Sequence, residues 1–230
     1  MPDKNLTLLL DSSASPLLAA AAKDGHVFSA RRKGIKQEKL LFPLLAGLLQ
    51  KAGAQLQDTQ RIFIVRGPGR FTGIRIALTF ASMMHYLGGC EVRGATLFEV
   101  LRFQAEHTRA FMQWKKTHPA GVLAVVLHAF REEYFLQIFS RDNPAPLWLS
   151  REALLAHLAA CTLPLFLTGS AKDGAPLGTL TGERYALAPA AASRVQPAAL
   201  ARMAQDARWE QNALEPLYLK PARFELETPR

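Results

Sequence analysis

A chain of 230 residues and 25.3 kDa has room for one large domain or two small ones sharing a core. Hydrophobic residues at 49% and charged residues at 20% match the globular norm and exclude a disordered chain. The balance of 28 Lys+Arg against 19 Asp+Glu, a formal +9, attracts phosphate and makes nucleic acid a partner class to weigh. The basic residues are nonetheless scattered (Arg31, Arg32, Lys33, Lys36, Lys39; Lys115, Lys116; Arg202, Arg208) and form no single block, so a solvated basic surface explains them equally.

The opening residues Met1 to Asn5 lead into a short apolar stretch that stops at Asp11, which is not the pattern of a secretory signal. No apolar run reaches the roughly 18–20 residues that cross a bilayer. The expected compartment is therefore the cytoplasm, with no membrane partner. Leu6 to Leu10 reads as a buried strand ended by the polar turn Asp11-Ser12-Ser13. Leu17 to Ala22 and His26 to Arg31 read as a hairpin closed at Lys23-Asp24-Gly25. A helix is predicted from about Gln37 to Ala52 with Gly53 closing it, then a strand at Arg61–Val65. The glycine-rich turn Arg66 to Gly73 feeds a second helix that reaches about Leu87.

The second half repeats that layout without repeating the letters. Gly121–Leu127, Glu133–Ser140 and Leu147–Leu149 read as strands, Ser150–Ala160 as a helix and Leu163–Thr168 as a strand. Each half thus runs strand, strand, strand, helix, strand, which predicts an internal structural duplication of α/β class. Lys172–Pro189 is rich in Gly, Pro and Ala and reads as loop. A short helix is expected at Pro197–Arg208, an extended Glu215–Lys220, and fraying over the last ten residues.

Chemistry-bearing features are few. The turn Gly67-Pro68-Gly69-Arg70-Phe71-Thr72-Gly73, between a strand and a helix, can present free N–H groups to an anion, with Thr72 as a helix cap. It carries neither the GxGxxG nor the GxxxxGK[ST] pattern, so a purely structural tight turn is the competing reading. Asp11, with Ser12 and Ser13, sits at a strand's carboxyl end, where it could hold a hydrated cation or a phosphate or simply form an Asx-turn. The six histidines (His26, His85, His107, His118, His128, His157) form no metal-ligand spacing, and Cys90 and Cys161 form no CxxC pair. No GxSxG elbow is present. The two amino-terminal helices carry more apolar surface than one core needs: Leu41, Leu44, Leu45 and Leu48 form a stripe with Phe42 and Leu49 off it, and Ile74, Ile76, Ala77, Phe80, Ala81, Met83, Met84 and Leu87 leave almost no polar face. Leu41, Leu44, Leu45, Leu48, Ile76, Phe80, Met83 and Met84 are the candidate interface residues, deep burial being the alternative. On that reading Leu44→Asp or Phe80→Asp should break an association without unfolding the monomer.

The runs Leu8-Leu9-Leu10-Asp11-Ser12-Ser13 and Arg66-Gly67-Pro68-Gly69-Arg70-Phe71-Thr72-Gly73-Ile74-Arg75 resemble those of the bacterial TsaB (YeaZ) family. Glu132-Glu133-Tyr134 resembles the family's GEVY and Pro216-Leu217-Tyr218-Leu219-Lys220 its terminal PxYLR, at agreeing spacings over nearly the whole chain. The resemblance implies a two-lobed, duplicated fold of the actin/sugar-kinase/Hsp70 ATPase (ribonuclease H-like) class, with lobes at about 1–108 and 109–230 and a tail that can pack back on the first lobe. It implies a non-catalytic dimerisation subunit in threonylcarbamoyladenosine modification of tRNA. Its partners would be the catalytic paralogue TsaD, the ATPase TsaE and tRNA through the complex, with a second copy of the chain as the other way to cover the helices. It makes Asp11, Ser12, Ser13, Gly67, Gly69, Thr72, Gly73 and Arg75 the weak candidates for nucleotide or anion contact, names no catalytic or metal residue, and puts any ATP or ADP at the complex seam. Ser12 stands where the family has Thr, Gln37 where it often has His, and Leu127-His128-Ala129, with Arg131 nearby, where it has Asp-Ala-Arg. These departures count against nucleotide binding and leave the scaffold role untouched. The competing classes are a stand-alone peptidase-like or kinase-like enzyme and a direct tRNA-binding module.

Overall fold

β1 (Leu6–Asp11) is buried along its whole length, as a continuous apolar run between two covered faces requires. The structure, a computed structural model, describes residues 6–34, 36–209 and 213–220. β1 pairs antiparallel with β2 (Leu17–Lys23), which turns at Asp24 and Gly25, both at positive φ, into antiparallel β3 (His26–Arg32). α1 (Gln37–Lys51) then leads to β4 (Thr59–Val65), parallel to β1, and α2 (Phe71–Gly88) leads to β5 (Glu91–Ala95), parallel to β4. The first sheet has the order β3-β2-β1-β4-β5.

After α3 (Leu97–Glu106) and α4 (Arg109–Thr117) the plan recurs. β6 (Val122–Phe130), β7 (Glu133–Phe139), β8 (Leu147–Ser150), β9 (Leu165–Ser170) and β10 (Ala186–Leu187) form a sheet of order β10-β9-β6-β7-β8. Read outward from the middle strand it is the first sheet again: two antiparallel steps to one side, two parallel steps to the other. The expected duplication and α/β class are both present. α5 (Arg151–Ala160) starts at Ser150, whose hydroxyl accepts from the Ala153 N–H at 3.2 Å, and occupies the place of α1. In the place of α2 the second half has only the four-residue α6 (Gly178–Thr181) and short turns, so the stretch read as loop is largely loop.

The chain divides into two compact units, the described residues of 1–100 with 195–217, and those of 101–194 with 218–220. The segment 195–217 thus lies in the unit of the first sheet, where the expected second lobe of 109–230 allowed a tail to pack back on the first, and the first unit's leading stretch ends at 100 rather than 108. Its helix α7 (Pro197–Met203), shorter than expected, packs on β1, β2 and β3 with Leu200 and Met203 buried. Residues 215–220 form no strand, and the last ten residues lie outside the described ones.

β5, α3 and α4 add elements that the apolar pattern did not predict. β5 contains Arg93 and Gly94, a poor strand signature. Arg93 is buried because Glu91 takes its guanidinium and the Ala204 carbonyl accepts from it at 2.8 Å. A paired buried charge looks like a surface residue until its partners are known.

Candidate functional site

The Asp11 loop and the glycine turn meet at the carboxyl ends of β1 and β4. Asp11 Oδ1 accepts from the Ser13 N–H at 3.0 Å and from the Ser13 hydroxyl at 2.6 Å, an Asx-turn with all three residues of the loop buried. Burial pushes the Asp11 carboxyl above the usual carboxylate range, while the Ser13 hydrogen bonds and, more weakly, Arg31 pull it down. The Ser12 hydroxyl donates to the Gly73 carbonyl at 2.8 Å, and the Arg70 N–H donates to the Ser13 carbonyl at 2.7 Å.

That arrangement accounts for two glycines. A β-carbon on Gly69 would collide with the Ser13 backbone, and one on Gly73 with the Ser12 carbonyl and, at 2.7 Å, the Gln37 side-chain oxygen. The close approach that a phosphate-binding turn reserves for its ligand is made here by the chain's own Ser12–Ser13 backbone. Thr72 is exposed and does not cap α2; Arg70 is the N-cap, with no side-chain cap hydrogen bond. Arg75 is exposed, with its guanidinium over the Phe71 ring at 5.2 Å. The residues of this turn do not fit a nucleotide phosphate, and the tight-turn reading describes what Asp11, Ser12, Ser13, Gly67, Gly69 and Gly73 do. Gly67, at φ +110°, passes the carboxyl-terminal segment so closely that a β-carbon would lie 2.6 Å from the Leu217 carbonyl. The Leu217 N–H donates to the Arg66 carbonyl at 2.8 Å, and the Arg66 guanidinium to the Glu215 carbonyl at 3.0 Å. In the other unit Lys220 pairs with Glu133 at 2.6 Å, and Tyr134 is buried. Each motif read along the chain therefore engages a neighbour within its own unit. Among the described residues no group of three His, Cys, Asp or Glu side chains is placed to hold a metal ion.

The helices present a different surface. Leu41, Leu44, Leu45, Leu48 and Leu49 recur at helical spacing on the inner side of α1 and are buried against the first sheet. Ile74, Ala77, Phe80, Ala81 and Met84 do the same on α2. The candidate interface set therefore needs correction: Leu44, Leu45, Leu48 and Met84 are buried in the monomer's core. What remains outside is Phe42 and Phe71, each 53% exposed, with Met83, Tyr86 and Leu87. A cleft of about 480 Å³ opens between the helices. Leu41 and Phe80 form its buried base, Phe42, Phe71, Ile76 and Met83 its apolar walls, and Glu38 and Arg75 bring one charge of each sign to it. Phe42 meets Phe80 edge to face, with ring centroids 5.9 Å apart. In the sequence Phe42 lies off the stripe, and an aromatic that the core stripe does not use is the signal of this exposed wall.

Comparison with known proteins adds four findings. A family model described as "TsaD: tRNA N6-adenosine threonylcarbamoyltransferase" matches residues 35–124. The tRNA threonylcarbamoyladenosine biosynthesis protein TsaB of Buchnera aphidicola subsp. Schizaphis graminum is 23% identical over 140 residues, 60% of this chain; the match spans 62% of that relative's length. YeaZ from Pseudomonas aeruginosa superposes with a TM-score of 0.66 at 22% identity, covering 93% of this chain and 99% of that one. A second structure, described as an uncharacterized protein with similarity to peptidase YEAZ from the same organism, gives 0.65 at 23% identity, covering 94% and 99%. The two structures show the fold, which is that of YeaZ along nearly the whole chain.

Proposed function

We propose, from the support that the motifs, the curated relative and the shared fold give to the TsaB/YeaZ family, that this chain is a non-catalytic subunit in the formation of threonylcarbamoyladenosine in tRNA. It docks through the outer face of α1 and α2 on the catalytic paralogue TsaD, with the ATPase TsaE joining the assembly. The observation that carries this reading is the apolar cleft between the two helices, walled by aromatic and methionine side chains that the monomer leaves in water. Such a surface loses water-exposed apolar area on docking, and the Met83 thioether adapts to the shape it meets. A partner that binds only the ordered helix pair shifts its own equilibrium toward the state complementary to it, which is how a subunit without chemistry activates one that has it.

The competing enzyme reading requires a nucleophile or base presented to substrate. Ser13 and Asp11 are buried and hydrogen-bonded to each other, which favours the scaffold. The test is co-purification with TsaD, together with the threonylcarbamoyladenosine content of tRNA in cells that carry only the variant. Phe42→Asp and Met83→Asp are expected to lose the partner and the modification while remaining folded by circular dichroism. Retention of both by both variants would sink the reading, as would ATP or peptide hydrolysis by the pure chain alone.

A further inference from the structure

The tip of the β6–β7 hairpin carries an exposed aromatic side chain with two cations seated over its ring. Phe130 ends β6, opposite Glu133 and just after a bulge between His128 and Phe130, and it is 57% exposed. Arg131 follows in the left-handed region at φ +52°, its carbonyl 2.8 Å from the His128 imidazole, so the turn is held rather than loose. The Arg131 guanidinium lies 5.2 Å from the Phe130 ring, and the Lys220 ammonium lies 5.7 Å from that ring and 4.9 Å from Trp148. The acids beside them are neutralised: Glu132 by Lys172 at 2.7 Å, Glu133 by Lys220 at 2.6 Å. Among the described residues Arg131 has no ion pair.

We infer that this hairpin tip is a contact site for single-stranded RNA, with Phe130 stacking on an unpaired base and Arg131 meeting the flanking phosphate. An exposed ring flanked by cations is the arrangement that binds unpaired bases regardless of sequence, because every base has a π face and the backbone is anionic. A protein-docking patch would need contiguous apolar neighbours, as the helix cleft has; here the neighbours are charged. The formal +9 of the chain raises the local concentration of any RNA. The inference rests on the tRNA reading above for the identity of the RNA, and on the hairpin alone for its chemistry.

The experiment titrates the full chain with a fluorescent single-stranded RNA oligonucleotide, and with its duplex, across a salt series. Phe130→Ala is expected to weaken single-strand binding roughly 5- to 150-fold, the range of one stacked base, leaving the salt dependence unchanged. Phe130→Tyr should restore it. Arg131→Ala should lower the log–log salt slope by about 0.7, one phosphate contact to a single strand. Equal binding by Phe130→Ala and the wild type, equal affinity for the duplex, or no RNA binding overturns the inference. So does loss of TsaD co-purification in Phe130→Ala, which would make the tip a protein contact. Phe42→Asp and Met83→Asp test the docking surface separately, so either reading can fail while the other stands.

Discussion

Gly73 is fixed by what lies against it: its missing side chain lets the second-helix turn sit on the Ser12 carbonyl. Gly73→Ala forces that contact apart and should cost about 2 kcal/mol or more, read as a lower urea midpoint at unchanged slope. Asp11 sets a pH dependence of opposite sign to that of a salt-bridged carboxylate. Its carboxyl is raised in the folded chain, so the native state binds the proton more readily than the unfolded one, and this group's contribution falls as pH rises from the ordinary carboxylate range through the raised value. Asp11→Asn should therefore flatten the decline in stability over that window, measured as the difference between the two proteins' denaturation midpoints. The glycines and Asp11 were legible as a special turn. Whether a ligand or the chain filled the close approach was not, because Ser12 and Gly73 are separated by 61 positions and only folding brings them together.

For the helices, the sequence carried the inner stripe and reached the outer face only at Ile76 and Met83. The spacing of Leu41, Leu44, Leu45 and Leu48 reports that one side of α1 is buried, and it cannot say against what; the answer is the first sheet. Leu44→Asp and Phe80→Asp should therefore unfold the chain rather than release a partner, the reverse of the expectation drawn from the stripe. Leu44→Ala should already cost about 2–5 kcal/mol in a denaturant titration. Phe42→Asp, at a side chain 53% exposed, should leave that midpoint nearly unchanged. Strands such as β1 and β4 announce themselves by apolar runs. β5 does not, since the pairing of Arg93 with Glu91 and Ala204 is invisible until the segment after residue 195 returns to it.

Across the molecule, the repeated strand–strand–strand–helix–strand plan was readable because hydrophobic runs recur in the same order, and both sheets bear it out. The return of 195–217 to the first unit was legible only as a tail that can pack back on the first lobe, and its extent was not, since a short amphipathic helix carries no address. Leu200→Ala should consequently destabilise the first unit by about 2–5 kcal/mol. A fragment ending at 108 should aggregate, and one joining 6–100 directly to 195–217 should show a cooperative melt by circular dichroism.

The two halves share a topology but not a complement of helices: α2 has 18 residues where its counterpart α6 has four. Whatever the greasy furrow beside α2 grips, the described residues of the second half offer no helix of that length to duplicate it. A furrow that meets the same furrow of a second copy closes as a pair, whereas one that meets a different face of the next copy leaves that copy's own furrow open to another.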